Sequence, residues 1–410
     1  MTSVIRARTF LNAIGVDTHL SYTDGGYNNV ANVIYDLKYI GISNVRDSLT
    51  KATHLAAFEA VAASGVTFTL NIGTGTQTTA TLDATLILDQ SLLAFMPGDL
   101  LAVEGANEIN NWAVSYNGVQ GLAGALGLQG DLYEDVHGSS AFAGVGVDYF
   151  TGYGVGAIAA GPNPNLTGGL ADFDTQHPYP VDGKAPYSFM NPANALNNET
   201  GAVGPAVYTE TGYSSNGGTT GAVNQDVQAK YTLDLICDAV KDGVKSVFLY
   251  DLLDAYALGS KQGDDGYGLF DSNNQPKEVA TALHNFTTLL ADPGAGAATF
   301  APGVLKPTVQ GLSYAGGDLV LQKSSGEFDV LVWDEPSLWI EAKGIERQVA
   351  ARTVTVNLGA TFQEVDVYDP LKGTSAIETF HNVQTLQVSV TDHPLILEVF
   401  TASALAASHA

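Results

Sequence analysis

Two glutamates in this chain follow short apolar runs without any hydrophobic core to account for them. In LLAVEGANEINNW, residues 100–112, the run ends at Gly105 and Ala106 and delivers Asn107 and Glu108 into a polar stretch. In AVYTETGYS, residues 206–214, Glu210 ends a second run in the same way. A protonated carboxyl facing an ionised one is the raw material for acid and nucleophile chemistry on a glycosidic bond. That chemistry requires the two groups to meet, so the elements carrying them must converge.

The elements fit that requirement. From residue 12 to about residue 285, short apolar runs alternate with segments of helical period, the pattern of parallel strands buried under helices. Eight βα units are expected, with strands at 13–19, 44–46, 66–72, in the stretch 100–112, and at 145–149, 174–179, 206–210 and 246–250. Helices are expected at 30–40, where Val30, Val33, Ile34, Leu37 and Ile40 recur at helical spacing, and at 55–63, 131–142, 225–242 and 277–290. The fold class is therefore α/β, a (β/α)8 TIM barrel over residues 1–295. After the breaker DPGAG at 292–296 the texture changes to period-2 strands at 318–322, 327–333, 338–341, 353–358, 364–368, 385–390 and 395–400. These predict an appended all-β sandwich domain over 296–400, followed by a tail at 401–410.

In such a barrel, side chains at the C-terminal ends of the strands share one face, where active sites sit. The polar residues there form the candidate set: Asp17 and His19 after strand 1, Arg46 and Asp47 after strand 2, Asn71 after strand 3, and Asn107 and Glu108 after strand 4. His177 and Tyr179 follow strand 6, Glu210 ends strand 7, and Asp251 and Asp254 follow strand 8. Glu104, on the same face of its strand as Glu108, is read as a barrel-interior partner for Arg46. Trp112 and Tyr213 lie in top-face loops and offer the flat apolar surfaces on which sugar rings pack.

Taken in order, Ala106-Asn107-Glu108, His177-Pro178-Tyr179, Glu210 and Arg46 resemble the retaining glycoside hydrolases of clan A, whose catalytic glutamates stand on strands 4 and 7. The segment Tyr267-Gly268-Leu269-Phe270-Asp271 with Gln275-Pro276-Lys277 resembles the loop after strand 8 in the same clan. A family-39-like or family-5-like member with a β-sandwich tail is the best match, over roughly residues 12–290. The resemblance implies that Glu108 is the general acid/base and Glu210 the nucleophile in double displacement on a β-linked poly- or oligosaccharide. It makes Arg46 and Tyr179 the partners of Glu210 and Asn107 the sensor of the sugar 2-hydroxyl. His19, His177, Trp112, Tyr213 and Asp251 become substrate contacts. One departure is the lack of a tryptophan after strand 8, where Asp251, Leu252 and Leu253 stand. A non-catalytic carbohydrate-binding protein on the same barrel is the competing reading.

Composition excludes other classes. With 17 basic and 43 acidic residues and a formal charge of -26, the chain repels nucleic acid and anionic lipid. No run is long enough to span a membrane. The single Cys237 cannot form an intrachain disulfide. No GxSxG elbow, GxxxxGK[ST] loop or HExxH helix occurs, and Asp264-Asp265 lacks EF-hand spacing, so no metal or cofactor is expected. Carbohydrate is the expected partner, and oligomeric state is left open. The 45 glycines, few lysines and lone cysteine resemble bacterial secreted proteins, although the N-terminus shows no signal-peptide layout.

Overall fold

The computed structural model describes residues 4–151, 169–188, 205–216, 221–260 and 266–401. Residues 161–168 and 217–220 of the Gly-rich loops, Asp264-Asp265 and the tail beyond 401 lie outside them.

Eight parallel strands make the barrel: β1 (Ile14–Asp17), β2 (Asn44–Asp47), β3 (Thr67–Asn71), β4 (Leu100–Glu104), β5 (Gly146–Asp148), β6 (Thr175–Gln176), β7 (Val207–Thr211) and β8 (Ser246–Leu249). Their order around the sheet is β6-β7-β8-β1-β2-β3-β4-β5. A parallel bridge from Asp148 to Phe173, just before β6, joins its two ends. These strands are short because each needs only a few buried residues before its polar end reaches the upper face; β1 and β2 are buried at every position. Register then decides which polar ends meet. Asp17 pairs with Arg46 across β1 and β2, and Asn71 pairs with Glu104 across β3 and β4.

Among the described residues, the helices around this sheet are α1 (Ala7–Asn12), α2 (Val30–Ile40), α3 (Leu55–Ala62), α4 (Thr79–Phe95), α5 (Gly121–Gly138), α6 (Gln225–Lys241) and α7 (Glu278–Leu289). Helix α2 begins where Asn29 accepts a hydrogen bond from Asn32 N–H and ends at Gly41, whose φ of 68° suits glycine. The sequence reading left out α4. Its buried stripe includes Thr85 and Asp89 among the leucines, which blurs the apolar period, but Thr78 and Thr81 form a capping box at its start. Helix α5 starts ten residues before its expected start, because the glycines of its first turns argue against a helix that burial of Ala125, Leu128 and Leu132 nevertheless stabilises.

The β module is a seven-stranded sheet containing β9 (Thr308–Gln310), β10 (Gly317–Gln322), β11 (Phe328–Trp333), β12 (Arg352–Tyr368), β13 (Glu378–Val390) and β14 (Leu395–Phe400). The expected strands at 353–358 and 364–368 are one strand, β12, whose register shifts between Asn357 and Phe362, with Gly359 at φ 79°. The expected strand at 338–341 shrinks to Trp339–Ile340, paired with Ile345–Glu346. The seventh strand comes from the start of the chain: Ile5 and Arg6 pair in parallel with Leu321 and Gln322 of β10. Val330, Val332, Val354, Val356, Val365 and Val399 share one buried cluster within the module.

The module is anchored to the barrel through α6. Trp333 is fully buried, and its indole N–H donates to Asp238 Oδ1 at 3.0 Å and Glu335 Oε1 at 3.1 Å. Tyr231 OH donates to Pro336 O at 3.2 Å and accepts from Leu338 N–H at 2.6 Å. These pairings satisfy the polar tips of two large aromatics that the interface would otherwise strand in an apolar environment.

Candidate active site

Arg46 is the hub of the upper face. Its Nε and Nη2 donate to the two oxygens of Glu104, with Nη2 at 2.9 Å, while Nη1 reaches Asp17 Oδ1 at 3.0 Å and Glu210 Oε1 at 2.7 Å. The second Nη2 contact is Asn107 Oδ1 at 2.7 Å. All five N–H donors of the guanidinium are thereby engaged. The contact turns the Asn107 oxygen to Arg46, and Asn107 is also among the residues that line the cavity beside Glu210.

Glu210 is held from two sides. Arg46 meets one oxygen and the Tyr179 hydroxyl donates to the other at 2.9 Å. Glu108 sits at the turn leaving β4 with a φ of 40°, a left-handed conformation uncommon for a residue with a side chain. The turn is fixed by Glu108 N–H donating to Thr151 Oγ1 at 2.6 Å and by Asn111 and Trp112 N–H groups donating to Glu108 O at 2.8 and 2.9 Å. The Glu108 carboxyl meets His177 Nδ1 at 2.8 Å and accepts from Asn111 Nδ2 at 2.8 Å. His177 is completed by Thr209 Oγ1 at 3.0 Å from Nε2, and its Nδ1 also lies 3.5 Å from Glu210 Oε2. One oxygen of Glu108, one of Glu210 and a ring nitrogen of His177 all lie within 4.8 Å of one another.

Two carboxylates and an imidazole at that spacing are donors a metal ion could use. Their other contacts argue against it: Arg46 and Tyr179 already meet the two oxygens of Glu210, His177 and Asn111 those of Glu108, and a dication would sit beside the Arg46 charge. The arrangement suits proton transfer and nucleophilic attack.

The electrostatics follow from burial. Desolvation pulls down on the Arg46 charge, but Glu104, Glu210 and Asp17 outweigh it and keep the guanidinium charged. Asp17 is pushed well above the usual carboxylate range, by burial first and by its neighbours Glu210 and Glu104, against the pull of Arg46. Burial raises Asp47 to about 7, although Thr18 and the Leu20 N–H hydrogen-bond to it. Burial lowers His19 to about 4, so its ring is neutral near pH 7. For Glu108, burial alone would raise the value; the hydrogen bond and charge of His177, with Asn111 and Arg46, outweigh it and bring the carboxyl below its ordinary range.

Beside Glu210 opens a cavity of about 320 Å³ whose walls include Asp17, His19, Asp47, Asn71 and Trp112. Trp112 is 58 % exposed at its rim. His19 stacks on Tyr22, with ring centroids 4.6 Å apart, and meets Tyr250 OH at 3.2 Å from Nε2. A larger cavity of about 700 Å³, lined by His137, Phe173 and Lys245, lies at the opposite, N-terminal end of the strands and holds neither glutamate.

The structure thus gathers Glu108, Glu210, Asn107, Arg46, His177 and Tyr179 into one contact network, with His19 and Trp112 on the cavity wall. It does not bring Tyr213 there. That ring is buried against Tyr231 at 5.2 Å and its hydroxyl donates to Lys184 O. Asp251 stands behind the wall, accepting from Tyr27 OH at 3.2 Å, with His19 Nε2 3.8 Å away. Sequence reasoning missed Thr151, Thr209 and Asn111, which hold Glu108 and His177; small polar residues carry no signal of their own. The Tyr250 ring packs edge-on to Tyr179 and Tyr267 at the end of β8.

No protein-family model matches this chain, and no curated protein matches it in sequence. Solved structures match in fold. A family 39 glycoside hydrolase from the gut symbiont Bacteroides cellulosilyticus WH2 superposes with a TM-score of 0.63 at 14% identity, over 98% of this chain and 83% of that one. The GH39 enzyme from Xanthomonas axonopodis pv. citri gives 0.59 at 11% identity, over 97% and 95%. A monomeric beta-xylosidase from Caulobacter crescentus CB15 gives 0.57 at 11% identity, over 96% of each chain. At such identities the likeness is one of fold, and the fold that this chain carries across both barrel and β module is that of the family 39 glycoside hydrolases.

Proposed function

We propose that the chain is a retaining glycoside hydrolase acting on a β-linked glycan. The observation that carries this reading is the approach of Glu108 and Glu210 to within 4.8 Å between their nearest oxygens, each held by different partners. Retention requires carboxyls roughly 5 to 5.5 Å apart, whereas inversion needs roughly 6.5 to 9.5 Å to admit a water.

Glu210 attacks the anomeric carbon. Arg46 and Tyr179 hold it aimed, and their hydrogen bonds loosen as its charge passes into the new bond. Glu108 gives its proton to the leaving oxygen and then takes one from the water that cleaves the glycosyl-Glu210 ester. His177 fits both halves of that cycle. With its proton on Nε2, its Nδ1 accepts from protonated Glu108; with a proton on Nδ1, it stabilises the Glu108 carboxylate. Asn107, whose oxygen accepts from Arg46 and which lines the cavity, bonds the sugar 2-hydroxyl in this reading.

Turnover of a panel of aryl β-glycosides tests the assignment. Glu210→Ala is expected to lower kcat by about ten-thousand-fold, and NMR of the first-formed sugar should show the anomer of the substrate. Unchanged turnover in the variant removes Glu210 from the mechanism. Binding of glycan without any turnover in wild type would instead favour a non-catalytic barrel.

A further inference from the structure

A cavity of about 350 Å³ opens between the loop after β6 and the β module, and among the described residues it shares no lining residue with the cavity beside Glu210. Tyr314, in the turn before β10, is 89 % exposed on it. The Tyr314 hydroxyl meets Tyr187 OH at 2.7 Å, and the two rings stand edge to face with centroids 5.5 Å apart. Tyr187 is tied down in turn by its N–H, which donates to Glu335 Oε2 at 2.9 Å. A large ring held in place yet left in water is a preorganised flat surface, of the kind on which a sugar ring packs. Arg352, at the start of β12, lines the same cavity with its Nε 2.6 Å from Asp334 Oδ2. Among the described residues its side chain makes no other ion pair or hydrogen bond, so its terminal amino groups are open to a ligand. Lys184, 3.6 Å from Asp182, brings a second positive charge to the wall. The carboxylate oxygens on the wall are already engaged. Asp334 Oδ1 accepts from the N–H and hydroxyl of Ser313, and its Oδ2 faces Arg352. Glu335 accepts from the Trp333 indole and from Tyr187 N–H, and burial together with Asp238 pushes its carboxyl up to about 10, so it is uncharged near pH 7.

We infer that this cavity is a second carbohydrate site, taking a uronate residue of a glycan with its pyranose ring on Tyr314 and its carboxylate on the terminal amino groups of Arg352. The choice of a sugar as ligand rests on the glycosidase reading; the site itself uses neither Glu108 nor Glu210. The charge of the ligand follows from what the wall has left to give. Sugar hydroxyls call for acceptors as well as donors, whereas a carboxylate calls for donors alone and matches the planar fork of a guanidinium.

The test is an NMR titration of the full chain carrying Glu210→Ala, so that no ligand is consumed. Methyl β-D-glucuronide is compared with methyl β-D-glucoside, and methyl β-D-galacturonide with methyl β-D-galactoside. At least one uronide should bind about tenfold or more tightly than its neutral counterpart. Adding Tyr314→Ala, a change at an exposed position, should weaken that uronide about tenfold or more. Adding Arg352→Gln should bring the uronide and the neutral sugar to within about threefold of each other. Should loss of the partner of Asp334 unfold the Arg352 variant, the Tyr314 variant decides alone. If the uronide binds and Tyr314→Ala weakens it, the inference holds even where wild type cleaves no glycoside and the glycosidase reading fails. Neither uronide binding, both bound no better than about threefold over the neutral sugars, or uronide affinity unaltered by Tyr314→Ala overturns it.

Discussion

Arg46 does at one point what the rest of the upper face depends on. It compensates Glu104, which is wholly buried, fixes the Asn107 amide and holds Glu210. Arg46→Ala would leave Glu104 as an unpaired buried charge and should cost about 3 to 5 kcal/mol in urea unfolding, together with most of kcat. Arg46→Lys should recover part of the stability but little of the rate, since an ammonium has three donors for what five now serve. The second residue-scale prediction concerns pH. In the proposed mechanism Glu108 acts first as a protonated acid, and its acidity is raised chiefly by His177 against the effect of burial. Its protonated fraction therefore falls as pH rises above an already low value, so kcat/KM should peak on the acid side and decline toward neutrality. Replacing His177 by Asn removes that charge while burial persists; the alkaline limb of the profile should move to higher pH. A limb that stays in place would show that Glu108 is not the acid or that His177 does not tune it.

At the scale of elements, the site depends on how tightly β4 passes into its turn. A methyl group on Gly105 would run into Gln129 Oε1 and come within 2.8 Å of the Phe150 backbone nitrogen and Cβ. Gly105→Ala should therefore destabilise the fold by about 1 to 3 kcal/mol and, by displacing Asn107 and Glu108, lower kcat as well. Thermal melting and aryl-glycoside kinetics on one preparation check both. The same turn explains what the sequence could reveal. Barrel strands such as β1 and β4 are legible because each is a short apolar run with a polar end, and parallel register lines those ends up without further information. This is how Glu108 and Glu210, distant in sequence, could be placed on one face. The small sheet of Gly75–Gln77, Val114–Tyr116 and Val119–Gln120 was not legible, because strands this short hold too few side chains to show a period. Tyr213 was misplaced for a related reason: strand alternation does not say where a chain turns back into the core.

For the whole molecule, buried acid outweighs buried base. Burial pushes Asp148 and Asp329 up to about 8 and Glu335 up to about 10, and the charge of -26 adds general repulsion near neutral pH. A carboxyl whose value is raised by folding contributes stability that is fully present below its unfolded value near 4 and is lost as pH rises through the folded one. Asp369, held low by His393 and Lys372 despite its burial, works in the opposite direction, but the raised groups are more numerous. The melting temperature should accordingly be higher at pH 5 than at pH 8, by about 5 °C or more. A flat or inverted profile in scanning calorimetry would mean that these carboxyls are ionised in the folded protein.

The pairing of Ile5 and Arg6 with β10 has a consequence for the birth of the molecule. During synthesis the strand Ile5–Arg6 waits for a partner made hundreds of residues later, while α1 behind it packs Phe10 on Phe286 of α7. Synthesis must deliver β10 before this strand can settle. Until then, or in a protein clipped near its N-terminus, β10 presents an open edge on which another copy's strand could seat itself.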